Sequence, residues 1–379
     1  PRSGGEYLFL GRIFHPAAGF VSGWISATVG FAGPTALAAI TFATYLTSAL
    51  MPESTSPYLV PSIAAVLVAL LTLVHATHRR TSGSVQLAFT VLKVGLIVLF
   101  CMLAFFLTET PQPVRFTPAS GDGALLMSGA FAVSLIYVSY AYTGWNVATY
   151  LSSELQNPQR TLPLVLGFGT VLVILLYLAL NYVFLFAAPI DAMRGKVEVG
   201  FIAAEYAFGG IGARIMGVVL ALLLISTVSA MIIAGPRVYQ AIGEDHSVFS
   251  KFASTNQYGV PAFAIYVQGA LTILFIVTSP FEFILLFSGF TLALNTLGAV
   301  VGLFVLRWRE PELPRPFRVP LYPLIPLVFL TLTGWTLTFV TRSEPKAALV
   351  GLGVIVAGIL FYAVTRRIGR QLAAEDPAA

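Results

Sequence analysis

Residues 139–146 read Ser139-Tyr140-Ala141-Tyr142-Thr143-Gly144-Trp145-Asn146, in the middle of an apolar run that extends from Ala124 to Leu155. That run holds 32 residues. As one straight helix it would measure about 48 Å at 1.5 Å per residue, whereas the hydrocarbon core of a bilayer is only about 30 Å thick. Six of the eight central side chains (Ser139, Tyr140, Tyr142, Thr143, Trp145 and Asn146) can form hydrogen bonds, and Gly144 weakens the helix at its centre. An aromatic belt at the bilayer interface would explain the rings, but not Gly and Asn between them. A broken helix explains both the excess length and the polarity. Unwound backbone at membrane depth persists only around a cavity or within protein, where its free N–H and C=O groups can meet a small charged ligand.

The surrounding chain has the composition of a membrane protein. Of 379 residues, 57% are hydrophobic and 10% are charged, with 29 Phe. Soluble domains run at about 45–50% apolar, even counting Gly, and about 25% charged. These values exclude intrinsic disorder, a disulfide-stapled secreted fold and a nucleic-acid-binding domain. The 21 Lys+Arg exceed the 16 Asp+Glu, but they sit in short loops, where they orient spans rather than bind phosphates. The single cysteine, Cys101, can form no internal disulfide.

Ten apolar runs are long enough to be helical spans: 19–50, 57–76, 84–107, 124–153, 163–187, 211–236, 260–279, 283–306, 321–341 and 346–365. The period-2 alternation of a membrane barrel is absent. The expected fold is an all-α polytopic bundle forming one domain over 1–379, with a leading loop or helix at 1–18 and a polar, frayed tail at 366–379. Ten spans place both termini on one side. That side collects 14 basic residues, the other side 6, and Lys93 lies within a span. The bias orients both termini to the cytoplasm.

Lys93 is the charged residue deep inside a span, about 15 Å from the start of its run at 1.5 Å per residue. A lysine at mid-bilayer costs about 2.5–3.5 kcal/mol on insertion scales, so it must face the bundle interior. It is then an ion-coupling cation, a proton carrier or a structural tie to a neighbouring span. The hydroxyl run Ser226-Thr227-Val228-Ser229 fits two readings equally: glue between helices, or a lining opposite Lys93. Asn295 must find a partner in the bundle or in a pocket. His75 and His78 read as a solvated helix end rather than a metal pair. Gly298 and Gly302 fit close helix packing, and Gly33-Pro34 kinks the first run. The Pro- and Arg-rich stretch 306–323 reads as a rigid connector.

Enzymatic signatures are missing: there is no HExxH, GxSxG or GxxxxGK[ST]. Every Asp and Glu lies at a span end or in a loop. No catalytic constellation, cofactor or metal is therefore expected. Repeated filter loops or charged rings, the marks of a channel, are also missing. A broken helix and a buried lysine fit alternating access better.

These landmarks resemble the amino acid–polyamine–organocation superfamily, and within it the L-type amino acid transporter branch. The specific pattern is AYTGWNVATYLSSELQNPQRTLP at 141–163. PRSGGEYLFLGRIFHPAAGFVSGW at 1–24, FTVLK at 89–93, GPRVYQAIGED at 235–245 and LRWREPELPRPFRVP at 306–320 support it. The resemblance runs nearly end to end. It implies a twelve-span fold of two inverted five-span repeats plus two further helices. By that alignment the chain lacks the family's first span and most of its second, and is expected to be N-terminally truncated. The resemblance also implies roles. Tyr140 falls at an aromatic gate over the substrate. Ala141, Tyr142 and Gly144 fall where backbone carbonyls meet its ammonium group, and Trp145 and Asn146 line the pocket. Lys93 stands in for a sodium ion, with Ser226 and Thr227 on the opposing span. The implied function is secondary transport or exchange of amino acids across the plasma membrane. Neutral substrates are expected, because no buried carboxylate is available for a cationic side chain. A coupling proton or counter-substrate fits the mechanism, and the residues name no partner subunit. A polyamine or other amine permease, and a non-transporting scaffold or sensor, are the competing readings.

Overall fold

The computed structural model describes residues 4–53, 56–77, 83–150 and 155–375. His78, Arg79, Arg80 and the end of the tail lie outside these residues, as do residues 151–154 of the 141–163 pattern. The described chain is helical. Eight helical segments are long and apolar enough to cross a membrane, and two shorter apolar helices, Gly129–Ala141 and Ala262–Thr278, accompany them. Together they fall on the ten runs expected from sequence.

The chain opens with α1 (Gly5–Ile13), a short helix outside the spans, followed by α2 (Pro16–Ile25). Pro16 at the first position and the His15 side chain, which accepts from the Ala17 amide, start α2. A π-helical turn, Ser26–Gly30, separates α2 from α3 (Ala32–Leu50). The distortion lies one turn before Pro34, which lacks the N–H that would bond the Gly30 carbonyl. The kink expected at Gly33-Pro34 is therefore expressed just upstream, at Ser26–Gly30.

Four more spans surround α3. It packs on α4 (Leu59–Thr77), α11 (Val199–Ala234), α14 (Ala262–Thr278) and α15 (Phe281–Arg309). Its buried face repeats small residues, Ala32, Ala36, Ala39 and Ala43, which lets the partner helices come close. The α3 threonines satisfy their hydroxyls on their own helix, as in Thr35 to the Phe31 carbonyl at 2.6 Å.

The remaining elements frame this centre. α5 (Gly83–Leu107) packs on α11 and on α9 (Pro158–Ala187). After α9, the short α10 (Ile190–Met193) leads into α11, which breaks at Gly209 with φ +73°. α12 (Pro236–Asp245) and α13 (Ser250–Ala253) follow α11, and α16 (Leu324–Ser343) and α17 (Pro345–Glu375) close the chain. The expected tail is thus helical to Glu375.

The fourth run departs most from a plain span. It splits into α6 (Asp122–Leu126), α7 (Gly129–Ala141) and α8 (Val147–Tyr150), with Ser128 capping α7 through the Phe131 amide at 3.2 Å. At 13 residues, α7 spans only about 20 Å.

The α1–α2 hairpin depends on Gly19. A Cβ there would strike the Tyr7 carbonyl and come within 2.7 Å of the Gly11 Cα. Gly19→Ala should therefore force the two helices apart and destabilise the protein by about 1–3 kcal/mol, the usual range for overpacking. A lower thermal midpoint in detergent would show it, and an unchanged midpoint would refute the contact.

Candidate functional site

The backbone unwinds where the sequence reading placed the break. α7 ends at Ala141, Gly144 adopts φ +94°, and helix resumes at Val147. An L-residue with a side chain rarely adopts that φ, so glycine fits the turn. The amides of Tyr142 and Thr143 bond back to the Ser139 and Tyr140 carbonyls at 3.2 and 3.0 Å, ending α7. The Thr143 hydroxyl adds a second bond to the Tyr140 carbonyl at 2.7 Å.

The turn separates two cavities. The larger, about 850 Å³, lies between α7, α9, α15 and α16; Tyr140, Ala141, Tyr142, Gly144 and Trp145 line it. Among the described residues, its lining contains no charged side chain. The smaller, about 60 Å³, is bounded by Gly144, Trp145, Asn146, Asn295 and Glu6. Asn146 thus faces away from the large cavity. Part of the expected carbonyl set is already engaged: Ala141 accepts from the Tyr177 hydroxyl at 2.9 Å and Gly144 from the Val147 amide at 3.1 Å. The Tyr140 ring lines the large cavity, while its hydroxyl is buried beside Gly33 without a partner.

Glu6 corrects the sequence reading, which expected no buried carboxylate. It is 3% exposed, and its Oε2 accepts from the side-chain amides of Asn146 at 3.0 Å and Asn295 at 2.9 Å. Glu6 does lie outside the spans, on α1, but the fold carries α1 against the helix break and α15. One signal for it was present: Asn295, alone in an apolar span, had to find a partner. Burial pushes the Glu6 carboxyl above the usual carboxylate range, and the two amides oppose this in part.

Lys93 forms a separate cluster. Its ammonium donates to the Thr227 hydroxyl at 2.9 Å, joining α5 to α11. The reading in which the hydroxyl run faces Lys93 therefore holds at Thr227. The Ser226 hydroxyl is buried without a hydrogen-bond partner. Neither cavity beside the turn includes Lys93, Ser226 or Thr227 in its lining. α5 packs on α11 and α9, whereas α7 packs on α15 and α16.

Two lesser expectations change. His75 is half-buried rather than solvated, and its Nε2 pairs with the Ser229 hydroxyl at 2.8 Å. Of Gly298 and Gly302, Gly302 packs closely, against Ile13 and Phe14, while Gly298 has open space around it. The 306–323 connector clasps α1: Arg309 donates to the Ile13 carbonyl at 2.7 Å, and Arg12 pairs with Glu310 at 2.9 Å.

A helical membrane bundle, broken at mid-span beside a cavity, has the build of a transporter rather than an enzyme. A model of the amino acid permease family matches residues 1–364, and the chain belongs to that family. Mouse large neutral amino acids transporter small subunit 2 is 29% identical over 376 residues, covering 96% of this chain and 68% of the relative. Mouse Asc-type amino acid transporter 1 is 26% identical, with the same coverage of both chains. Mouse b(0,+)-type amino acid transporter 1 is 26% identical over 95% of this chain and 74% of its own length. These relatives place the chain in the L-type branch of the amino acid–polyamine–organocation superfamily, among transporters of amino acids.

Proposed function

We propose that this permease carries neutral amino acids across the plasma membrane by alternating access, with both ends of the chain in the cytoplasm. The observation that carries the reading is the unwound segment 142–146, opening onto a cavity that no charged side chain lines among the described residues. Broken helices at membrane depth bind small zwitterions through their backbone groups. An uncharged wall suits a neutral side chain better than a cationic one. Glu6 lies in the smaller cavity with two amides on its carboxylate, so it does not line the larger one. Names of two relatives, the large-neutral and Asc-type transporters, agree with an amino acid substrate.

In this reading Tyr140, Ala141, Tyr142, Gly144 and Trp145 form the substrate side of the break, and Asn146 lies on its far side, against Glu6. Lys93 with Thr227, and Ser226 beside it, form a coupling cluster between α5 and α11. The test is uptake and exchange of labelled amino acids by the protein in proteoliposomes. Saturable exchange across a panel of neutral amino acids is expected, and its absence would defeat the assignment. Tyr140→Ala should raise the apparent KM roughly tenfold, the effect of losing about 1.4 kcal/mol of binding. An unaltered KM would remove Tyr140 from the pocket.

A further inference from the structure

We propose that Glu6 is a proton-binding site of this transporter: its carboxyl holds a proton while enclosed between the helix break and α15, and releases it when α1 moves away. The inference rests on the transport reading but concerns a residue outside the expected substrate and coupling sets.

The geometry supports it in three ways. First, both amides converge on one oxygen, Oε2, from different elements, Asn146 at the end of the unwound segment and Asn295 on α15. Any movement of the break relative to α15 must therefore alter the surroundings of this carboxyl. Second, α1 is a short helix that packs closely on α2 and is tied to the rest of the bundle by a few polar contacts, namely the Tyr7 hydroxyl to Asp245 at 2.6 Å, Arg309 to the Ile13 carbonyl and the exposed Arg12–Glu310 pair, so that α1 and α2 can move as one unit against the break. Third, the small cavity leaves Glu6 a space at the break that Ser26, Thr143 and Thr296 line in part, and among the described residues no other charged side chain lines it.

Other ionisable groups lie on α1 and on the elements around it. They are Tyr7 and Arg12 on α1 itself, His15 at the start of α2 and Tyr142 in the turn. Arg307 and Arg309 lie at the end of α15, and Arg237, Glu244 and Asp245 on α12. The Glu6 carboxyl is shifted by burial and by the two amides.

The sign follows from burial. Enclosed, the carboxyl binds its proton more tightly than in water, so its pKa is raised. Exposed, it returns to the ordinary range near about 4.3. The closed arrangement is therefore favoured as pH falls and loses ground as pH rises through the raised value. Closing takes up one proton and opening returns it to water.

The test uses the protein reconstituted in lipid without substrate, followed by pH-difference infrared spectroscopy. Wild type should show a protonated-carboxyl band that disappears with a midpoint above the ordinary carboxylate range. Glu6→Gln should lack the band, and its exchange rate should be flat over the pH interval in which wild type varies. Asn295→Ala, which removes one donor to the ionised form, should move the midpoint to higher pH, and it carries the test if Glu6→Gln does not fold. A wild-type band retained in Glu6→Gln, a midpoint in the ordinary range, or no movement in Asn295→Ala would each overturn the proposal. Because the band is read without substrate, a wrong assignment of the Tyr140 pocket would leave this result intact.

Discussion

Lys93→Ala is expected to cut the initial rate of amino acid exchange at least about tenfold at equal protein per vesicle. A hydrogen bond to a charged group contributes about 1.5–3 kcal/mol, and each 1.4 kcal/mol is a factor of ten. In the structure that bond joins α5 to α11 through Thr227 at 2.9 Å. These two helices hold no residue of the large cavity, so a loss of transport would come from coupling between elements rather than from direct contact at the break. Thr227→Val should give a smaller loss in the same direction, because the ammonium retains water or carbonyls as alternative acceptors. Equal rates in Lys93→Ala and wild type would leave Lys93 as a structural tie alone. A fall in membrane yield as large as the fall in rate would lead to the same conclusion.

Gly144→Ala is the second large effect. An added Cβ at Gly144 meets no atom within 4 Å, so crowding cannot account for any loss. What remains is the backbone: φ +94° disfavours every L-residue with a side chain, at about 1–2 kcal/mol. The turn should shift toward helix, close the break and reduce exchange about five- to thirtyfold, while the protein still folds. Gly353→Ala on α17 is the control. It also meets open space, but its φ is not positive. There alanine should be neutral or slightly stabilising, since it favours helix by about 1 kcal/mol over glycine. If both variants transport like wild type, the turn conformation does not matter to function.

Much of this architecture was legible in the residues. Apolar length reports helical spans because a bilayer leaves backbone groups no partner but their own helix. The break at 142–146 was legible for a related reason: a largely apolar run of 32 residues overshoots the membrane, and glycine with hydrogen-bonding side chains marks where the excess is taken up. The lysine at position 93 announced an interior partner because a charge facing lipid is too costly.

Glu6 was not legible as a buried group. Its neighbours in the chain are Gly4, Gly5 and Tyr7, outside any span, and nothing local distinguishes a solvated helix from one folded under the bundle. Burial of α1 is decided by distant contacts, with Asn295 on α15, Asp245 on α12 and Ile13 held by Arg309. The same holds for His75, whose partner Ser229 lies 154 positions along the chain. Bilayer thickness acts on each segment separately, so one stretch of residues suffices to reveal a span or its break. Which hydroxyl, amide or carboxylate meets which is set by the packing of helices far apart in sequence, and only the folded bundle decides that.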